Sequence, residues 1–163
     1  DRGTLDVREM NALELSPQEF ARTVREDVEE AGAEIVMIDG IAGYRLTLHG
    51  ETDMVLKRLH ALGRYLKNVG VTTILIDETD SPTGAFSATQ ENISYLADNI
   101  VFLRHIELRG ELRKAIGVLK KRTSDFERTL REFEITADGI VVGEPLTGMQ
   151  GILSGTPDLL DDE

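Results

Sequence analysis

The spacing of apolar residues changes several times along the chain, and each change predicts an element. Between Ser16 and Gly32, Phe20, Val24, Val28 and Ala31 recur at helical spacing. Ser16-Pro17-Gln18-Glu19 opens that segment as a capped helix start. The serine can accept from orphan amides, the proline sits where no amide is needed, and the glutamate can reach back to close a capping box. Gly32 supplies the stop. Ile35 to Ile38 is then continuously apolar, the pattern of a strand covered on both faces. From about Thr52 to Asn68 the helical period returns, with Val55, Leu59, Leu62, Leu66 and Val69 on one stripe, and Gly70 ends it. "VTTILI", Val71 to Ile76, is a second β-branched strand. Helix, strand, helix, strand in this order predicts an α/β fold with right-handed crossovers and a mainly parallel sheet flanked by helices.

Beyond Ile76 the pattern turns polar and then changes type. Asp80 to Asn92, "DSPTGAFSATQEN", is rich in turn formers, and a short helix is expected over about Thr89 to Ala97. "NIVFLRHIEL" and "ELRKAIGVLKKR" read as two strands around Arg109-Gly110, an antiparallel hairpin. "REFEIT" and "GIVVG" suggest a second hairpin, with Asp138-Gly139 as its turn. The last stretch, "TGMQGILSGTPDLLDDE", reads as loop followed by an acidic tail over 158–163. With no repeat and no long linker, 1–157 is expected to be one domain.

Length and composition narrow the function. A chain of 163 residues can bury about 70% of the surface its unfolded form exposes. No run of 18 apolar residues and no apolar leader segment are present, which predicts a cytoplasmic protein without a membrane partner. Cysteine is absent, so disulfides, zinc–thiolate sites and thiol catalysis are excluded. Thirty acids against eighteen bases leave a net charge of −12, which argues against nucleic acid as a partner. The bases are thirteen Arg and five Lys. An acidic, lysine-poor surface fits a protein working in high salt, where screening suppresses self-repulsion; an ordinary acidic protein has the same balance.

Three groups of residues carry candidate chemistry. Asp39 ends a buried strand and is followed by Gly40 and Gly43. In an open parallel sheet ligands sit at the carboxyl ends of strands, and a carboxylate there can hold magnesium through its water shell. A strand that simply stops at a polar turn gives the same pattern. Asp77-Glu78-Thr79 ends the next strand in the same way. The phosphate-cradling motif G-x-x-x-x-G-K-[ST] is absent, since none of the fifteen glycines is followed by Lys. Second, "LKKRTS", Leu119 to Ser124, clusters three cations in an acidic chain. They suit a phosphate, through the Arg fork and the Lys point charge, or they blunt a sheet edge and pair with local acids such as Glu127 or Glu132. Third, His49, His60 and His105 have no metal-ligand spacing, and no G-x-S-x-G marks a nucleophilic serine.

Together these stretches resemble the later part of a KaiC-like ATPase domain, in the RecA-type branch of the P-loop NTPases. "LDVREMNALELSPQEFARTV" is similar to the strand, loop and helix before the family's Walker B. "IVMIDGIAGY" resembles the Walker B strand. "NISYLADNIVFLRHIELRGELRKAIGVLKKRTSDFERTLREFEI" resembles its late hairpin, and "GILSGTP" its closing segment. The likeness covers nearly the whole chain.

The resemblance implies a RecA-like α/β fold with C-terminal antiparallel hairpins. It also implies ATP and Mg2+ as cofactors of the parent protein, with Asp39 as the Walker B acid holding magnesium through water. Lys120 and Arg122 align with the family's K-x-R pair, which reaches a neighbouring protomer's phosphates, so a homo-oligomer, by analogy a ring, is implied. Glu78 and Thr79 fall in the expected sensor region. The family's Walker A loop and catalytic glutamates are expected before residue 1, leaving no catalytic residue assigned here and no tight MgATP site. The implied activity is slow ATP hydrolysis serving a regulatory or signalling role with a protein partner. The alternative is a non-enzymatic signalling or interaction module with a decayed nucleotide site, which the acids Asp77 and Glu78 would suit. Action in trans would leave Lys120 and Arg122 projecting without a fixed acidic partner.

Overall fold

A computed structural model describes residues 5–10, 15–40, 52–78, 97–154 and 158–159. The chain divides into two compact units, Asp1–Glu78 and Thr79–Glu163.

In the first unit, α1 spans Pro17–Ala31. It starts where the sequence places it. The Glu19 amide donates to the Ser16 hydroxyl at 3.2 Å and the Ser16 amide donates to the Glu19 carboxylate at 2.8 Å, so two orphan donors are satisfied reciprocally. Gly32, at φ 61°, ends the helix and donates to the Val28 carbonyl. Strand β1, Ile35–Asp39, pairs in parallel with β2, Thr72–Ile76, and α2, Thr52–Asn68, lies between them in sequence. Val24 and Val28 of α1 bury against Leu62 and Leu66 of α2, with Val71 beside them and Val36 and Ile38 of β1 packed on the cluster. Tyr65 adds a second tie, donating its hydroxyl to Glu29 while the Arg25 guanidinium lies 4.2 Å from its ring centre.

One expectation changes here. Four consecutive apolar residues suggest a strand covered on both faces, yet Ile35 and Met37 are 62% and 61% exposed. The reason is that α1 and α2 both pack with Val36 and Ile38, hence on one face of the β1–β2 ribbon. Val69, expected to end the α2 stripe, also lies outside the helix and exposed.

Among its described residues, the second unit is built on a four-stranded antiparallel sheet in the order β3-β4-β5-β6. Its strands are Asn99–Leu108, Glu111–Lys121, Arg131–Thr136 and Gly139–Pro145. Arg109 and Gly110, at φ 55° and 77°, make the two-residue turn between β3 and β4, both central residues having the positive φ that matches strand twist. Along β3 burial alternates: Phe102, Ile106 and Leu108 are buried, while Val101, Leu103, His105 and Glu107 are exposed. The period-2 pattern of a sheet with one covered face is therefore met.

The second hairpin turns one residue earlier than its Asp-Gly pair suggests. Thr136 pairs with Gly139, so Ala137 and Asp138 are central and Gly139 begins β6. The Thr136 hydroxyl fixes this turn, accepting from the Asp138 amide at 3.2 Å and donating to the Gly139 carbonyl at 3.0 Å. The closing stretch is more ordered than a loop. Ile152, in a 3-10 turn over Ile152–Ser154, buries with Ile106 and Ala115, and β7, Met149–Gln150, pairs with β8, Asp158–Leu159, the first residues of the expected tail. Leu153 anchors the same turn, its carbonyl accepting from the Arg104 guanidinium at 2.6 Å. The expected helix over 89–97 and most of the polar loop before it lie outside the described residues, apart from Ala97.

Candidate functional site

Parallel pairing of β1 with β2 sets Asp39 opposite Ile76. Both strands therefore reach their carboxyl ends together, and Asp77 and Glu78 follow immediately after Asp39's partner. Adjacent carboxyl ends are where open α/β sheets bind ligands. The Asp39 side chain is exposed, and among the described residues its carboxylate makes no hydrogen bond or ion pair. An exposed, unengaged carboxylate fits the outer water shell of Mg2+, which dehydrates reluctantly. Glu78 is exposed and Asp77 half-buried with interactions of its own. Thr79 lies outside the described residues, as do Gly43 and His49. Beside Asp39 a cavity of about 250 Å³ is lined by Phe20, Val28, Val36 and Ile38, with Arg8 and Asp27 also in its wall. Those last two form an ion pair at 3.0 Å, tying the segment 5–10 to α1. Among the described residues no three His, Asp or Glu side chains converge as a metal site.

The cations belong to the second unit. Lys120 and Lys121 end β4, where it pairs only with β3; its pairing with β5 is confined to Ala115 and Ile116. A β-bulge sets their register. Val118 faces Val101 but Lys120 faces Ile100, leaving Leu119 as the extra residue. Lys121 then faces Asn99, and the Arg122 amide donates to the Asp98 carbonyl at 3.0 Å, which continues the ladder by one pair. Lys120 is half-buried and Arg122 exposed.

Arg122 does not meet the acids suggested by sequence proximity. Glu127 accepts from Arg131 at 2.9 Å, and Glu132 accepts from Arg113 at 3.2 Å. Hydrogen bonding to Arg131, then to Thr129, holds the Glu127 carboxyl below the ordinary glutamate range. Instead the Arg122 guanidinium lies 3.4 Å from the Asp98 carboxylate, so the expectation of a cation without a fixed acidic partner does not hold for it. Asp98 is a residue that sequence reasoning passed over. Its identity was visible, but the pairing depends on the bulge at Leu119, and no local pattern in "VLKKR" announces a bulge.

The comparisons with known proteins bear on both units. A family model described as "ATPase: KaiC" matches residues 4–147. The chain belongs to the KaiC ATPase family. Among curated relatives, the "Circadian clock protein KaiC3" of Synechocystis sp. is 36% identical over 96 residues, 59% of this chain and 19% of that protein. The "Circadian clock oscillator protein KaiC" of Nostoc sp. is 37% identical over 93 residues, 57% of this chain and 18% of that protein. This KaiC-family chain thus spans about a fifth of the length of the curated relatives it matches. In three dimensions it is similar to the crystal structure of a KaiC-like protein from Pyrococcus horikoshii OT3. The TM-score is 0.67 at 26% identity, covering 79% of this chain and 55% of that one. The fold is the α/β, RecA-like one of KaiC-like proteins, with a parallel pair of strands and a four-stranded antiparallel sheet. Among the described residues no helix is long and apolar enough to cross a membrane.

Proposed function

We propose that this KaiC-family chain takes part in ATP binding and slow hydrolysis within a homo-oligomeric protein of regulatory or signalling role. In this reading residues 1–157 act as one RecA-like domain in the cytoplasm. Asp39 orders the water shell of the Mg2+ that accompanies ATP. Lys120 and Arg122 serve the phosphates of the nucleotide bound by a neighbouring protomer, where the guanidinium complements charge spreading over the transferred group. Mg2+ itself supplies neutralisation of that charge. The observation that carries the reading is the placement of Asp39. In a chain of this family, its carboxylate stands exposed at the adjoining carboxyl ends of β1 and β2, with no hydrogen bond or ion pair among the described residues. The chain alone holds no G-x-x-x-x-G-K-[ST] loop, so it contributes the metal's outer shell and the trans cations rather than the phosphate cradle.

The test is made in the full-length, assembled protein. Arg122→Ala is expected to slow steady-state hydrolysis by at least about tenfold, with the roughly 10³–10⁵ of arginine fingers as the upper bound, while the same subunit still binds nucleotide. Mixing Arg122→Ala subunits with Asp39→Asn subunits should restore part of the activity at mixed interfaces. No recovery at any mixing ratio, with assembly intact, removes the trans role.

A second reading is favoured by Asp77 and Glu78, which add carboxylates beside Asp39, where they would repel a phosphate. There the domain serves as a non-enzymatic interaction module for a signalling protein. It predicts that the whole protein neither binds nor hydrolyses MgATP, an outcome the same assays detect.

A further inference from the structure

Asp98 stands directly opposite Arg122 at the end of the β3–β4 ladder, and two contacts join them. The Arg122 amide donates to the Asp98 carbonyl at 3.0 Å, and the guanidinium Nη1 lies 3.4 Å from the carboxylate Oδ1. The bulge at Leu119 makes this juxtaposition. In an unbroken register Lys120 would face Asn99 and Arg122 would face Ala97, with no acid across the ladder. Bulges of this kind re-aim side chains near functional sites.

The backbone contact and the side-chain contact do different things. A backbone hydrogen bond in a ladder fixes the main chain of Arg122, and therefore where its side chain starts. The ion pair holds the other end only weakly. At 3.4 Å it is longer than the 2.7–2.9 Å typical of a charge-assisted bond. Its side chains are 50% and 35% exposed, in the range where such pairs contribute little. The main-chain bond orients the side chain, and this ion pair adds only a weak hold on it.

We propose that Asp98 is a positioning residue for Arg122: its carboxylate is the resting counter-ion that the guanidinium exchanges for a phosphate oxygen of the neighbouring protomer's nucleotide. This rests on the reading that Arg122 serves a phosphate in trans. One carboxylate oxygen stands in for a phosphate oxygen, and the Arg N–H groups can donate to either acceptor. Breaking the resting pair is then part of the work of reaching the transition state. Removing the carboxylate while keeping the backbone carbonyl lowers that work and raises the rate.

The test is a double-mutant cycle in the whole, assembled protein, read as kcat and KM for MgATP. Asp98→Asn keeps the main-chain bond to Arg122 and a side chain of the same shape. It is expected to raise kcat about two- to fivefold, the size of an exposed ion pair, with KM unchanged because the substrate subunit's own contacts are intact. The gain should vanish in the Arg122→Ala background. Asp125→Asn, which removes one negative charge three residues from Arg122, should leave kcat unchanged and so rules out a general field effect. If Asp98→Asn does not fold, Asp98→Ser makes the same prediction. A purely structural Asp98 gives an unchanged or lower kcat, and that result overturns the proposal while Arg122→Ala still slows hydrolysis. If Arg122→Ala leaves kcat intact, the trans reading of Arg122 fails first and takes this proposal with it.

Discussion

At the scale of single residues, Gly117 shows how tightly one position can be set by a neighbour distant in sequence. It faces Phe102 across β3 and β4, and a Cβ built on it would lie 2.5 Å from a ring carbon of Phe102 and 2.6 Å from Leu130 Cδ2. The ring occupies the space a side chain would need. Gly117→Ala is therefore expected to destabilise the second unit by about 1–3 kcal/mol, the usual cost of overpacking. The urea midpoint should fall with an unchanged slope. A midpoint equal to that of the unaltered protein would mean that the ring shifts aside at no cost. Within "AIGVLK" an isolated Gly signals only a weakened strand or a close approach; the ring that approaches it is fifteen positions earlier. Asp98 and Arg122 have the same character, both visible as residues and invisible as a pair.

At the scale of elements, the capping box of α1 is the part most directly written in sequence. Ser16→Ala is expected to cost about 1 kcal/mol in chemical denaturation. Glu19 reports the same structure through its titration. Hydrogen bonding from the Ser16 side chain, then from its amide, holds the Glu19 carboxyl below the ordinary glutamate range. A carboxyl whose pKa is lowered by folding adds stability above the ordinary range, and that contribution is lost as pH falls through the lowered value. Glu19 should therefore titrate by NMR below an ordinary Glu, and Ser16→Ala should move the midpoint back up. A midpoint indifferent to Ser16 would mean that the box is not formed in solution. The later hairpins divide by the same logic. Arg109-Gly110 is a local turn and fell where expected, whereas the turn at Ala137-Asp138 was moved by one hydroxyl, that of Thr136.

For the whole molecule the governing quantity is charge. Thirty acids, eighteen bases and a net of −12 repel over a distance that falls from about 10 Å at 0.1 M salt to about 3 Å at 1 M. The thermal midpoint should accordingly rise between low and molar salt as carboxylate repulsion is screened. Local ion pairs such as Arg113–Glu132 and Arg131–Glu127 oppose this trend, but they are partly exposed and individually weak. A flat or falling midpoint across a salt series would remove the argument for salt adaptation.

The helix boundaries of α1 and α2, the β-branched strands and the first hairpin were legible in the residues alone. Caps, periodicity and two-residue turns act between neighbours a few positions apart, so their signals survive without the fold. The family was legible for a related reason, since the stretches that together carry the resemblance, from "IVMIDGIAGY" to the late hairpin with its Lys-Lys-Arg, are each contiguous. What the tertiary structure decided is everything that joins distant segments. Packing of α1 and α2 on a single face left Ile35 and Met37 open despite a pattern that suggests burial. Parallel register brought Asp39 level with the end of β2. The bulge at Leu119 chose Asp98, rather than Glu127 or Glu132, as the acid opposite Arg122. Register and face depend on which strand lies alongside, and a one-residue slip changes every partner without changing any local pattern.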